Sequence, residues 1–312
     1  NAIVPGGVLP NGQIADETTA YKECLEAIKE AYERHPVAGI AGAFKNTGLG
    51  VGVPDTGRCI VSVEGGKVHV RTGAARIGQG LDTVVLQVAC HTLDMTPDFI
   101  VVEPPDTRRT PNSGTTTASR QTMFTGEAVR KACESLKQEL DGGKTLADLE
   151  GREFYGEFTC ITDPITTSKE HPYSHAAYSY GVQAAVLDEE GKIEKVYAVY
   201  DAGHVINRKS AEGQVEGGIV MSLGYALTED YPLKDCVPQA KYAKLGLWRA
   251  NAVPEIDVKF VCAPVKGNAA YGAKGIGEIS SIPTAPAVAG AYFERDGVMR
   301  TSLPLEGTPY RK

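Results

Sequence analysis

The order of hydrophobic patterns along the chain is the feature that most restricts its fold. Apolar residues that alternate predict strands, and apolar residues three and four positions apart predict amphipathic helices. By these patterns a hairpin, a helix, a strand and a helix follow one another twice. The first copy comprises residues 59–74, 81–94, 99–105 and 126–140, and the second comprises 178–203, 210–227, 255–264 and 285–297. This repeated, mixed order predicts an α+β protein of two lobes related by a pseudo-repeat.

The repeat divides the chain into three predicted parts. We expect a first lobe over residues 1–141, a polar connecting segment over 142–178 and a second lobe over 179–312. A further helical pattern at 16–36 precedes the first copy and ends at a proline. The glycine-rich stretch 39–57 that follows this helix is expected to be a loop.

Composition and cysteine usage narrow the class of protein. The chain of 312 residues carries a formal charge of −7, which argues against a general nucleic-acid binder. It contains no run of 18 apolar residues, so no membrane span is expected. The 7 cysteines form no C-x-x-C pair and the histidines lack paired-ligand spacing. This pattern predicts reduced thiols in the cytoplasm and no metal held by protein side chains.

Three predicted helix starts are rich in glycine or in hydroxyl groups. Gln79 lies between Gly78 and Gly80 just before one helix, "PNSGTTTASRQT" leads into the next, and Gln214 lies in "AEGQVEGG" near the start of another. Glycine lets a backbone approach a ligand closely, and helix N-termini offer free N–H groups to anions. Together these starts suit a large polar cofactor. Each alone is also typical of an ordinary turn, a capped loop or close helix packing.

Two stretches resemble nucleotide-binding loops only superficially. "GLGVGVPDTG" follows no predicted strand and opens no helix, as a dinucleotide-binding loop would. "GGKT" at residues 142–145 lacks the earlier glycine of a phosphate-binding loop, because Gln138 occupies that position. Neither stretch therefore predicts a nucleotide site.

Glu278 stands in the stretch "GAKGIGEIS", just after Gly275 and Gly277 and beside apolar residues. A carboxylate in apolar surroundings costs free energy unless it is paired or used. The spacing by itself is equally compatible with a surface loop. Read with the three helix starts, it predicts a carboxylate that faces the reacting centre of a bound cofactor.

The motifs "GQG", "PNSGTTTASRQT", "DAGHVIN…GQVEGG" and "AKGIGE", in this order, resemble those of the molybdenum hydroxylases. This family includes xanthine dehydrogenase, aldehyde oxidoreductase and nicotinate dehydrogenase. The resemblance extends over about residues 38–300 and corresponds to the C-terminal part of the molybdopterin-binding region. The segment "FKNTGLGVGVPDTGRC" is most similar to bacterial purine hydroxylases.

The resemblance implies roles for individual residues. Glu278 would be the general base, in a closed and apolar site. Ala118 would contact the molybdenum through its backbone. Hydrogen bonds to the pterin would come from Gln79 with its neighbours Gly78 and Gly80, from Ser119 and from Gln214. Gln121 departs from the family, because relatives carry a second serine there.

The resemblance also implies what the complete enzyme would do. It would oxidise a purine-type heterocycle, with water as the oxygen source and a molybdopterin cofactor. Nicotinate and aldehydes are alternative substrates, and a non-catalytic assembly domain is an alternative role. The first half of the molybdopterin region, the iron–sulfur clusters and FAD would belong to missing domains or partner chains. Since the chain also opens on Asn1 without a methionine, we expect an inactive piece of a longer protein or a processed subunit.

Overall fold

The computed structural model describes residues 1–241, 244–263 and 269–311. Its helices are α1 (Tyr21–Glu33), α2 (Leu81–Leu93), α3 (Gln121–Asp141), α4 (Arg208–Leu227) and α5 (Thr284–Asp296). Its strands are β1 (Ala38–Thr47), β2 (Asp55–Glu64), β3 (Lys67–Arg71), β4 (Ile100–Val102), β5 (Glu153–Cys160), β6 (Ala177–Leu187), β7 (Ile193–Asp201), β8 (Leu233–Lys234), β9 (Val237–Pro238) and β10 (Glu255–Val261). The last residue of the strand predicted at 255–264 lies outside the described residues.

Two four-stranded sheets repeat one topology. The first has the order β4-β3-β2-β5 and the second β10-β7-β6-β1. In each, an antiparallel hairpin is followed by a helix and by a strand that pairs in parallel with the second hairpin strand. A second helix then follows, α3 in the first copy and α5 in the second. The α+β class and the predicted pseudo-repeat are therefore confirmed.

The stretch 39–57 is predicted to be a loop, and this prediction is wrong at both ends, because residues 39–47 lie in β1 and residues 55–57 in β2. Strand β1 pairs with β6 from Ala38↔Val186 to Thr47↔Ala177. Its glycines serve packing rather than chain reversal, because a Cβ on Gly39 would lie 2.1 Å from the Ala287 carbonyl oxygen of α5. Because Gly39 has no side chain, helix α5 packs directly on the sheet.

Sheet membership crosses the predicted lobe boundaries. β1 lies in the second sheet although it belongs to the predicted first lobe, and α1 packs against β6 and β7. β5 falls in the predicted connecting segment but pairs with β2 of the first sheet. Hydrogen bonds to these edge strands complete each sheet, and such long-range pairing leaves no local pattern in the sequence.

Each sheet buries its own hydrophobic core. Helices α2 and α3 cover the first sheet around Val61, Val70 and Val85, whereas α4 and α5 cover the second around Val196 and Ile219. No helix within the described residues combines the length and apolar character needed to cross a membrane. The starts of α2, α3 and α4 and the loop at residues 273–278 thereby line one cleft.

Candidate active site

Three helices begin at one cleft of about 360 Å³. Its walls include Gln79 before α2, Arg120 and Gln121 at the start of α3, and Asn207 at the start of α4. The Asn207 side chain caps α4 through the Ser210 N–H, whereas no side chain in the described part of the chain caps α2 or α3. Uncapped N–H groups and the positive end of the helix dipole both favour an anion. The cleft is therefore suited to a ligand that carries negatively charged groups.

The structure brings most of the predicted site residues together. Five line this cleft: Gln79, Ala118, Ser119, Gln214 and Glu278. Gly78 and Gly80 flank Gln79 in the left-handed region, with φ of 95° and 77°, which glycine adopts without strain. A Cβ on Gly80 would lie 3.4 Å from the Ser210 hydroxyl of α4. The roles of these residues toward a cofactor remain predictions.

Ser119 and Glu278 form the central contact of the cleft. The Ser119 hydroxyl donates to Oε2 of Glu278, and the Glu278 backbone N–H donates back to the same hydroxyl at 3.1 Å. This contact explains the glycines of "GAKGIGE". A Cβ on Gly275 would lie 2.3 Å from the Ser119 carbonyl oxygen, and one on Gly277 would lie 3.0 Å from its hydroxyl. The loop can approach Ser119 only because both positions lack side chains.

Lys45 is a site residue that the sequence interpretation missed. Its Nζ lies 3.5 Å from Oε2 of Glu278, and the two side chains are 24% and 44% exposed. The described residues therefore leave Glu278 partly open to solvent and place a charged group beside it. Lys45 has no local signal, because its stretch is predicted to be a loop and its contact with Glu278 joins residues far apart in sequence.

The two glutamines that are predicted to bind the pterin form hydrogen bonds with backbone atoms of the cleft. Nε2 of Gln214 donates to the Gly277 carbonyl at 3.0 Å, so α4 supports the loop that carries Glu278. Gln79 bonds within its own turn, accepting from the Ile77 N–H at 2.8 Å and donating to the Ala75 carbonyl at 3.1 Å. Both amides thus hold the shape of the cleft.

A buried arginine holds the hydroxyl-rich loop before α3. Nε of Arg120 lies 2.5 Å from Oδ1 of Asp55, and the two side chains are almost fully buried. The guanidinium also donates to the carbonyls of Ser113, Thr115 and Thr56 at 2.7–3.1 Å. The sequence interpretation missed this pair, although an arginine inside a stretch of small polar residues was a possible signal.

The same loop places two non-glycine residues in the left-handed region. Ala118 and Ser119 have φ of 49° and 52°. Such conformations are unfavourable for residues with a Cβ and persist where surrounding contacts enforce them. Gln121, which departs from the family pattern, contributes to this support by donating to the Thr115 carbonyl at 3.1 Å and the Thr116 hydroxyl at 3.0 Å.

A second buried ion pair anchors the loop that carries Glu278. Nζ of Lys274 lies 2.7 Å from Oδ2 of Asp201 and donates to the Thr18 carbonyl at 2.6 Å. The Lys274 N–H also donates to the Ala202 carbonyl at 2.9 Å. Burial raises the pKa of the Asp201 carboxyl, and the Lys274 ammonium opposes that rise. The loop before Glu278 is therefore tied to the end of β7.

One group of three side chains of the kinds that bind metal ions occurs in the described part of the chain, away from the cleft. Possible ligand atoms of Glu64, His69 and Glu103 lie within 4.8 Å of one another. Arginines already pair with these carboxylates, since Arg71 Nε lies 3.1 Å and Arg109 Nη1 3.3 Å from Glu103. A cation there would face two guanidinium charges. We assign no metal site to this group.

Comparison with known proteins shows which family the chain belongs to. A family model described as a molybdopterin cofactor-binding domain matches residues 15–148 and 144–254. The aldehyde oxidoreductase of Megalodesulfovibrio gigas is 27% identical over 97% of this chain and 36% of its own length. A putative xanthine dehydrogenase molybdenum-binding subunit of Escherichia coli is 28% identical over 84% of this chain and 39% of its own length.

A solved structure shares the fold over nearly the whole chain. The aldehyde oxidoreductase from Desulfovibrio desulfuricans superimposes with a TM-score of 0.83 at 27% identity, covering 94% of this chain and 35% of that one. The chain belongs to the molybdopterin-binding domains of the molybdenum hydroxylase family. It spans less than half the length of the two curated relatives.

Proposed function

We propose that this chain forms one wall of the active site of a molybdenum hydroxylase and supplies its general base. The observation that carries the proposal is the convergence of three helix N-termini and Glu278 on a single cleft. The helix starts suit an anionic pterin cofactor, and the carboxylate suits proton transfer beside it.

The residues of the cleft fit such a cofactor on one side. The uncapped starts of α2 and α3 would receive its charged groups, and the backbone of Ala118 would lie against its metal. Gln214 keeps Oε1 available, because its hydrogen bond to Gly277 uses Nε2. When bound, the molybdenum cofactor would supply the oxygen and accept the two electrons of the oxidation. The residues of this chain would orient the cofactor and place a base beside it.

Glu278 would accept a proton during hydroxylation. Its Oε2 is held by Ser119 and Lys45, and Oε1 receives no hydrogen bond from the described residues. A carboxylate with one restrained and one available oxygen is oriented for proton transfer. General-base catalysis typically contributes about 10²- to 10⁴-fold to the rate.

We further propose a purine-type heterocycle as the substrate, in accord with the similarity of residues 44–59 to bacterial purine hydroxylases. An aldehyde is the second candidate, because two relatives of comparable identity are aldehyde oxidoreductases. The remainder of the pocket, the iron–sulfur clusters and FAD would come from other domains or chains of a cytoplasmic assembly. The chain of 312 residues alone would then be inactive.

Activity of the complete enzyme tests the function. Wild type and Glu278→Gln would be assayed for molybdenum content and for turnover of a purine and aldehyde panel. We expect equal molybdenum and a loss of about 10²-fold or more in turnover for Glu278→Gln. Glu216→Gln, at an exposed carboxylate on α4 outside the cleft, is the matched control and should retain activity. Near-normal turnover by Glu278→Gln would show that Glu278 is not the general base.

The purified chain provides a second test. Metal analysis of residues 1–312 alone should find no stoichiometric molybdenum, and no substrate should reduce an electron-accepting dye. Stoichiometric molybdenum together with substrate-dependent dye reduction would contradict the inactive-fragment proposal.

A further inference from the structure

We infer that Lys45 is a positioning residue for the base Glu278, whose carboxylate it orients. The inference rests on the proposed function, since it concerns the same proton transfer. Lys45 belongs to β1 and Glu278 to the loop before α5, so their contact joins two elements that are remote in sequence.

The first argument is that two donors share one oxygen of the carboxylate. The Ser119 hydroxyl and the Lys45 ammonium both approach Oε2 of Glu278, the ammonium at 3.5 Å. The carboxylate is thereby prevented from rotating freely, and Oε1 is left for the reacting proton. A serine alone would restrain this oxygen without adding charge. Lys45 adds a positive charge that attracts the same oxygen.

The second argument is that the ammonium of Lys45 is itself held in place. Nζ donates to the Asn46 carbonyl at 3.2 Å and to Oδ1 of Asn46 at 3.0 Å. Neighbouring hydroxyls fix the Glu278 loop against the same sheet. The Thr47 hydroxyl accepts from the Gly275 N–H at 2.9 Å, and the Ser179 hydroxyl donates to the Gly275 carbonyl at 2.5 Å. The separation of Lys45 from Glu278 is therefore set by β1 and β6 rather than by a freely moving side chain.

The third argument concerns the other charged groups near the pair. His175 faces Lys45, and its burial, together with the Lys45 charge, lowers the pKa of its imidazole. It is therefore uncharged near neutral pH. Lys274 pairs with Asp201, and His204 lines the cleft without an ion pair to Lys45 or Glu278 among the described residues. Among the described residues, Lys45 is the one cationic side chain within salt-bridge distance of Glu278.

The kcat and KM of the complete enzyme test this inference. Lys45→Met removes the charged group beside Oε2 of Glu278. It should lower kcat about tenfold and leave KM nearly unchanged, because the base is then less well oriented. Lys45→Arg keeps a cation and should restore most of the wild-type kcat. Lys29→Met, at an exposed lysine of α1 remote in sequence from the cleft, is the control and should leave kcat unchanged.

Molybdenum content and the thermal unfolding midpoint, measured on the same samples, separate positioning from a structural defect. Both should match wild type in Lys45→Met. If that variant loses molybdenum, Lys45→Gln gives the same comparison with a polar neutral side chain. A wild-type kcat in Lys45→Met or Lys45→Gln, with Glu278→Gln inactive, would overturn the role of Lys45 alone. An active Glu278→Gln enzyme would instead overturn the proposed function.

Discussion

Ser119 and Glu278 stand 159 positions apart in the sequence and exchange two hydrogen bonds. The first is on the left-handed turn before α3, and the second is on the glycine loop before α5. Each residue belongs to a different copy of the pseudo-repeat. The cleft is thus assembled where the two copies meet, and the candidate base depends on a residue of the other copy for its orientation.

Replacing Ser119 by alanine should reduce turnover by about tenfold in the complete enzyme, because Oε2 of Glu278 would keep only its contact with Lys45. Steady-state kinetics with parallel molybdenum analysis measures the effect. Ser135→Ala, which removes a partly buried hydroxyl that donates to the Lys131 carbonyl within α3, should behave as wild type. Unchanged kcat in Ser119→Ala would show that the Ser119 contact does not orient the base.

Arg120→Met should lower the free energy of unfolding by about 3–5 kcal/mol, because it leaves the buried carboxylate of Asp55 without its partner. Urea unfolding of the purified chain measures this loss. Arg58→Met, which breaks a partly exposed pair with Glu157, should cost about 1 kcal/mol or less. Equal losses in the two variants would contradict a special role for the buried pair.

Gly275→Ala should destabilise the chain by about 1–3 kcal/mol, since its Cβ would lie 2.3 Å from the Ser119 carbonyl oxygen and force the loop away. Gly217→Ala is the matched control on α4, where an added Cβ meets nothing within 4 Å. It should instead stabilise the helix by about 0.5–1 kcal/mol. Chemical denaturation of both variants checks the opposite signs, and a neutral Gly275→Ala would argue against close contact.

His175 should make stability depend on pH. Burial, with a further contribution from Lys45, lowers its pKa from the ordinary value of 6.5. The unfolded chain therefore binds the proton more readily, and this contribution to stability is lost as the pH falls through and below about 6.5. His175→Gln should flatten the loss of unfolding free energy between about pH 7 and 5 relative to wild type.

Urea midpoints across that pH range measure the difference. His171→Gln, at an exposed histidine nearby in sequence, serves as the control. Parallel curves for wild type and His175→Gln would contradict the lowered pKa of His175.

The sequence by itself determined the elements whose signal is local. Apolar periodicity predicted both hairpins and the helices α1, α2, α3, α4 and α5. The first hairpin turns at Gly65 and Gly66, whose left-handed φ of 60° and 73° glycine adopts without strain. The order of four short motifs predicted the family and five residues of one cleft. These features are readable because helix period, strand alternation and turn chemistry depend on neighbouring residues.

The tertiary structure alone decided how those elements combine. The residues of β1 resemble a glycine-rich loop in sequence, and it is the pairing with β6 and the packing of α5 that make them a strand. Likewise, β5 lies in the predicted connecting segment but pairs with β2. Pairing across the sheets places Lys45 beside Glu278, and burial of Arg120 with Asp55 shapes the loop of Ser119. Hydrogen bonds and ion pairs between residues far apart in sequence depend on the assembled fold, so no local pattern could predict them.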